Sequence, residues 1–221
     1  MKRGAFLYAL LLFFIWPLEA FAQCVVPQRL EYVSDSFLGH TIEGAFIFEG
    51  TAAGVSGARL KLEVSGPLKN ATYEYTSEMF LAPDNTFRSR LFRIRTTRSD
   101  DKTEVKEYIP RSGEGDPLTV ALNMMTGRYG PMNPGGERSI PVVQLRDRDA
   151  SSREVRMQMG TADDALWYRA KDNPGARDSV FLVTLPSGLY GNIVREMRMW
   201  LNSCGIPTVA VIEFVTLRLK Q

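Results

Sequence analysis

The chain has 221 residues, 44% hydrophobic and 24% charged, with a formal net charge of +2. That composition belongs to a globular protein and excludes a disordered or strongly basic one. One histidine, His40, excludes any site that needs two, and two cysteines, Cys24 and Cys204, exclude a thiol-rich metal knuckle.

The chain opens with Lys2 and Arg3, followed by an unbroken apolar run from Ala5 to Trp16, the helix breaker Pro17, and Ala20-Phe21-Ala22. A basic start, an apolar middle and small residues at the cleavage positions form the pattern of a secretory signal. The run is too short for a membrane span of about 20 apolar residues. Residues 1–22 are therefore expected to be removed, leaving 23–221 as a single β-rich domain without a transmembrane anchor. Gln23 stands where lipid attachment to Cys24 needs a small residue, which argues against a lipoprotein. The mature chain has 25 basic and 24 acidic residues, so no net field draws it to nucleic acid. Export permits disulfides, and Cys24 and Cys204 are the natural pair.

Strand patterns dominate the mature chain. They are expected at 41–49, 58–64, 71–76, 87–95 and 103–109, then at 140–145, 153–159, 165–170, 179–185, 196–201 and 208–219. The clearest is 58–64, where Leu60, Leu62 and Val64 alternate with Arg59, Lys61 and Glu63. Short connections carry Gly, Pro, Asp or Asn. Residues 116–126 differ: Asp116 is an N-cap, Pro117 a first helical residue, and Leu118, Ala121, Leu122 and Met125 recur at helical spacing. The glycine-rich stretch 127–136 reads as a long surface turn. The expected fold is mainly β: a strongly curved antiparallel sheet or half-barrel of about ten strands, with this one short helix against its concave side.

Catalytic patterns are absent. His40 has no nucleophile signature beside it. Ser99-Asp100-Asp101-Lys102 matches a Ser-x-x-Lys pattern, but in a charged turn and not on the helix that chemistry requires. Asp147-Arg148-Asp149 begins like a calcium loop, yet Ser152 replaces the turn glycine and Gln158 the closing acid. Asp163-Asp164 reads as a turn between strands. No metal, no cofactor and no catalytic residue is expected. Arg88, Arg90, Arg93 and Arg95 form the strongest charge feature. Strand alternation splits them between faces; a bulge at Leu91-Phe92 would reunite them as a stripe able to meet anionic headgroups, whereas the plainer expectation is a solvated face whose charges pair with Glu74, Glu78, Glu104 or Glu107 on neighbouring strands.

Two segments, Asp116 to Met125 followed by Ile140-Pro141-Val142-Val143, and Trp200 to Val209, together resemble a family of Gram-negative periplasmic proteins known only as a domain of unknown function. The resemblance implies a curved antiparallel sheet similar to the lipoprotein carriers of the envelope, and no established reaction.

The function expected from these observations is non-catalytic. An exported envelope protein of the periplasm binds a lipid-like ligand, or a protein partner, in a curved sheet. The candidate lining residues are Met124, Met125, Met157, Met159, Trp167, Met197, Met199 and Trp200. The alternative is an assembly module that pairs through a sheet edge.

Overall fold

The computed structural model describes residues 27–35, 39–51, 54–67, 70–145, 150–184, 196–212 and 215–220. The proposed signal, Cys24, and the Asp147–Asp149 acids lie outside them. Twelve strands and two helices follow in chain order: β1 (Arg29–Ser34), β2 (Thr41–Thr51), β3 (Gly54–Ser65), β4 (Ala71–Leu81), β5 (Phe87–Arg98), β6 (Thr103–Tyr108), α1 (Pro117–Met125), β7 (Glu137–Leu145), β8 (Ala150–Met159), α2 (Ala162–Asp172), β9 (Ser179–Thr184), β10 (Glu196–Leu201), β11 (Pro207–Ile212) and β12 (Val215–Leu219). All twelve strands belong to one sheet in the order β6-β5-β4-β3-β2-β1-β12-β11-β10-β9-β8-β7, with every neighbouring pair of strands antiparallel. The order starts and ends on different strands, so the sheet is open, and its halves meet where β1 pairs with β12.

α1 touches β3, β4 and β5 near one end of the order and β7 at the other. Contact with both ends requires the sheet to curl around the helix. The curl brings Gly115 against β7, where Gly115 N donates to Pro141 O at 2.9 Å and Val143 N donates to Gly115 O at 2.8 Å. Apolar residues cover both sides of α1. Leu118, Leu122 and Met125 join a core with Leu30, Phe46, Phe48, Met79, Phe87 and Phe92, whereas Val120 joins a second core with Ile140, Val142, Val155, Met157, Phe181 and Val183. A helix that is apolar all round belongs inside a protein.

Three expectations need correction. The count of about ten strands rises to twelve, because β1 escaped the sequence reading and 208–219 is the hairpin β11–β12. Apolar residues occupy both phases of 208–219, a pattern that two shorter strands carry as well as one long one. The expected strand at 165–170 is helical. In α2, Thr161 Oγ1 accepts from Asp164 N while Asp164 Oδ2 accepts from Thr161 N, forming a capping box, and Asn173 closes the helix at φ 52°. Asp163-Asp164 therefore opens a helix where two acids complement the positive end of its dipole, and among the described residues two helices stand where one was expected.

Residues 99–102 do form the β5–β6 turn, with Lys102 Nζ 2.9 Å from Asp100 Oδ2.

Candidate functional site

The inner face begins with the seat of α1. Asp116 is fully buried at its N-cap, where Oδ1 accepts from Leu118 N at 2.7 Å and Thr119 N at 3.0 Å. Its Oδ2 lies 2.6 Å from Ser77 Oγ on β4, which lies 3.0 Å from Ser89 Oγ on β5. Burial pushes the Asp116 carboxyl above its ordinary range, against the lowering effect of the Ser77 hydroxyl and the amides. Ser77 Oγ donates to Asp116 Oδ2, so with the two amides the buried carboxyl accepts from three donors. Two turns along, Asn123 replaces a strand neighbour for Phe87: Phe87 N donates to Asn123 Oδ1 at 2.7 Å, and Asn123 Nδ2 donates to Phe87 O at 2.9 Å. Two buried polar contacts thus set the depth and rotation of α1 against β4 and β5.

That placement aims Met124 at the inner face of β8–β10. Because side chains alternate along a strand, register decides which residues share this face. One row runs across the strands from Arg138 through Met157, Val183 and Met197 to Ile212. The next runs from Met159 through Phe181 and Met199 to Ala210. Met124, Met132, Met157, Met159, Met197 and Met199 pack on one cluster, six of the nine methionines in the chain. Met157 is buried, and the other five are half-buried against it and the buried Val155, Phe181 and Val183. Tyr129 and Met132 of the 127–136 segment pack on the same cluster, so this connection lies over the wall. Gly205 brings the β10–β11 turn beneath α1: it has φ +70°, and a Cβ there comes within 3.3 Å of Met125 O.

Of the eight expected lining residues, the structure brings Met124, Met157, Met159, Met197 and Met199 together. Met125 packs instead in the core with Leu118 and Leu122. Trp200 is fully buried on the opposite face, with Val180, Val209 and Val211 beneath α2. Trp167 projects from α2 with 79% of its surface exposed. Both tryptophans are therefore removed from the wall: Trp200 follows Met199 on the strand and takes the other face, and Trp167 sits on a helix that sequence reading had made a strand.

The arginine stripe has a bulge where Leu91 opposes Glu78 and Ser89 opposes Met79, leaving Arg90 as the extra residue. Arg88, Arg93 and Arg95 share the outer face, and the Arg90 guanidinium lies 5.1 Å from the Phe80 ring. Arg93 pairs with Glu107 at 2.6 Å, and Arg88 with Asp84 at 2.6 Å. The Asp84 carboxyl is held at about 2 by Thr86 and then by Arg88. Arg95 stands opposite Glu74 in the register. His40 enters β2 half-buried, with Gly66 beside its ring. Cys204 lies half-buried in the β10–β11 turn against the α1 core.

No group of three or more His, Cys, Asp or Glu residues placed to hold a metal occurs among the described residues. Nor is any described helix long and apolar enough to cross a membrane. The buried acids are dispersed: Asp116 caps α1, Asp172 ends α2, and Asp178 contacts Thr208 and Gly175 N.

No protein-family model matches the chain, and no curated protein matches it. Among solved structures, the chain is similar to a β-barrel-like protein of the domain of unknown function DUF1849 from Brucella abortus, at 14% identity and TM-score 0.45, covering 90% of this chain and 97% of that one. It is also similar to a DUF1089 family protein from Pseudomonas aeruginosa, at 10% identity and TM-score 0.43, covering 76% of this chain and 87% of that one. At these scores neither likeness carries an argument about this chain. The expected similarity to the lipoprotein carriers is not among these findings, and the fold stands on its own topology as a mainly antiparallel β protein with a curled, open sheet.

Proposed function

We propose that this is a non-catalytic envelope protein that binds an apolar or amphiphilic ligand on the methionine wall. One observation carries the reading. Met124, Met132, Met159, Met197 and Met199 converge half-buried over one apolar cluster, while the α1 core beside it is packed with large side chains. Methionine is flexible and polarisable, so such a wall adapts to ligands of varied shape. In this reading residues 1–22 are an export signal, the mature protein works in the periplasm, and Cys24 and Cys204 pair there.

The test is a titration of the full chain with the neutral fluorescent probe N-phenylnaphthylamine. Met199→Lys, which puts a charge in the wall, is expected to weaken binding at least tenfold, about 1.4 kcal/mol. Trp167→Lys, on the outer face, is expected to leave it unchanged. Equal losses in both variants, or no binding by the parent chain, refute the wall as the binding surface. The latter result turns attention to the alternative of sheet-edge pairing at β6. That outermost strand leaves Val105 exposed, as is Ile109 just beyond it, although Glu104, Lys106 and Glu107 on the strand discourage indiscriminate pairing.

A further inference from the structure

We infer that the ligand of this wall is an anionic amphiphile, whose head is received by Arg138 and whose chain lies over the half-buried Met132, Met159, Met197 and Met199. The inference rests on the reading of the wall as a binding surface and names the class of molecule that fits it. Arg138 stands at the β7 end of the row that continues through Met157, Val183 and Met197 to Ile212. Four strand spacings of about 4.8 Å give that row a length of about 19 Å, with a cation at one end and apolar side chains along the rest.

The Arg138 side chain is held in place by the residue that borders the wall. Its Nη1 donates to Tyr129 O, and its guanidinium lies 5.6 Å from the Tyr129 ring centroid. That hydrogen bond uses one of five N–H donors, leaving a planar fork suited to a carboxylate or phosphate. Among the described residues no carboxylate pairs with Arg138. Two other arginines on β8 and β10 project from the opposite face and are paired, Arg156 with Glu137 at 3.0 Å and Arg198 with Asp172 at 2.9 Å. The adjoining acids Glu137 and Glu154 alternate onto that opposite face as well. A half-buried guanidinium beside an apolar row, without an internal counterion, is complementary to one molecule that carries both an anion and a hydrocarbon chain.

Three probes separate the sources of such a charge: oleate, oleyl alcohol with the same chain and no charge, and inorganic phosphate with charge and no chain. Calorimetric titration of the full chain is expected to show oleate binding at least tenfold more tightly than oleyl alcohol, and phosphate binding weakly or not at all. Arg138→Gln is expected to remove the preference for oleate while leaving oleyl alcohol binding unchanged. Arg156→Gln, which removes the same charge from the opposite face, is expected to preserve the preference. Equal affinity for oleate and alcohol overturns the inference while leaving the wall itself a binding surface. Binding of phosphate as tight as that of oleate and dependent on Arg138 also overturns it, in favour of a free-anion site. Failure of both oleate and alcohol to bind overturns this inference and the reading of the wall together.

Discussion

Asp172→Ala is expected to destabilise the fold by about 3–5 kcal/mol, the usual cost of removing one partner from a buried ion pair. The Asp172 side chain is 1% exposed and Arg198 14%. Asp172 Oδ2 accepts from Arg198 Nε at 2.9 Å and Trp200 Nε1 at 2.8 Å, while Oδ1 accepts from Arg198 Nη2 at 3.0 Å. The same residue ends α2, where Arg218 Nη1 donates to its carbonyl at 3.0 Å. Truncation strands the indole N–H and the guanidinium under a helix that loses its ion pair to β10. Urea unfolding of the two chains measures the difference. A change below about 1 kcal/mol sinks the account, since that is the scale of an exposed pair. The double variant Asp172→Leu with Arg198→Met is expected to recover much of the loss, because well-packed apolar groups can replace a buried pair at little cost.

Asp116 gives the second large effect. Asp116→Ala deprives Leu118 N, Thr119 N and the Ser77 hydroxyl of their acceptor in a dry site, a loss of about 3 kcal/mol from the cap and the stranded donors combined. Asp116→Asn keeps the shape and an acceptor for the amides. Its Nδ2 can donate to Ser77, which then donates to Ser89. Linkage fixes how this contrast varies with pH. Burial raises the folded-state carboxyl above its reference of 3.8, so the folded state holds its proton more tightly than the unfolded chain does. The resulting stabilisation is complete below 3.8 and is lost as pH rises through the raised value. Relative to Asp116→Asn, the parent chain is therefore expected to be more stable at pH 3.5 than at pH 7. Urea midpoints of both proteins at the two pH values test this, and a difference of opposite sign refutes it.

How much of this was legible in the sequence depended on whether a feature is local. β3 declared itself through strict alternation, and α1 through Asp116-Pro117 and its apolar spacing, because both signals lie within a few residues. The signals of α2 were equally local: a Thr161–Asp164 capping box, acids in the first turn, Arg169 and Lys171 in the last. They were outweighed by aromatic residues that read as strand, Trp167 and Tyr168. The methionine set was legible as residue types, and alternation alone separates Met199 from Trp200. What sequence could not supply was register. Arg138 escaped notice because the expected strand begins at 140, three residues inside β7, and only the pairing across β8, β9 and β10 places it in line with Met157 and Met197. The arginine bulge shows the same limit: a bulge was needed to unite the stripe, but pairing with β4 determines that Arg90 is the extra residue.

The meeting of β1 with β12 also governs the order in which the molecule can be assembled. Every other pairing in the sheet joins strands consecutive in the chain, so each half can zip through nearby contacts. The seam between the halves alone brings together residues as remote as Tyr32 and Leu219, and it must await synthesis of the last strand in chain order. Long-range closure is the slow part of folding in such topologies. In pulse-labelled refolding, amides of the seam should gain protection after those of the β3–β4 and β4–β5 hairpins. Until then no strand ladder links the two halves, and β1 shows a raw edge. A product truncated before β12 lacks the seam, so continuity of the twelve-stranded sheet depends on β12.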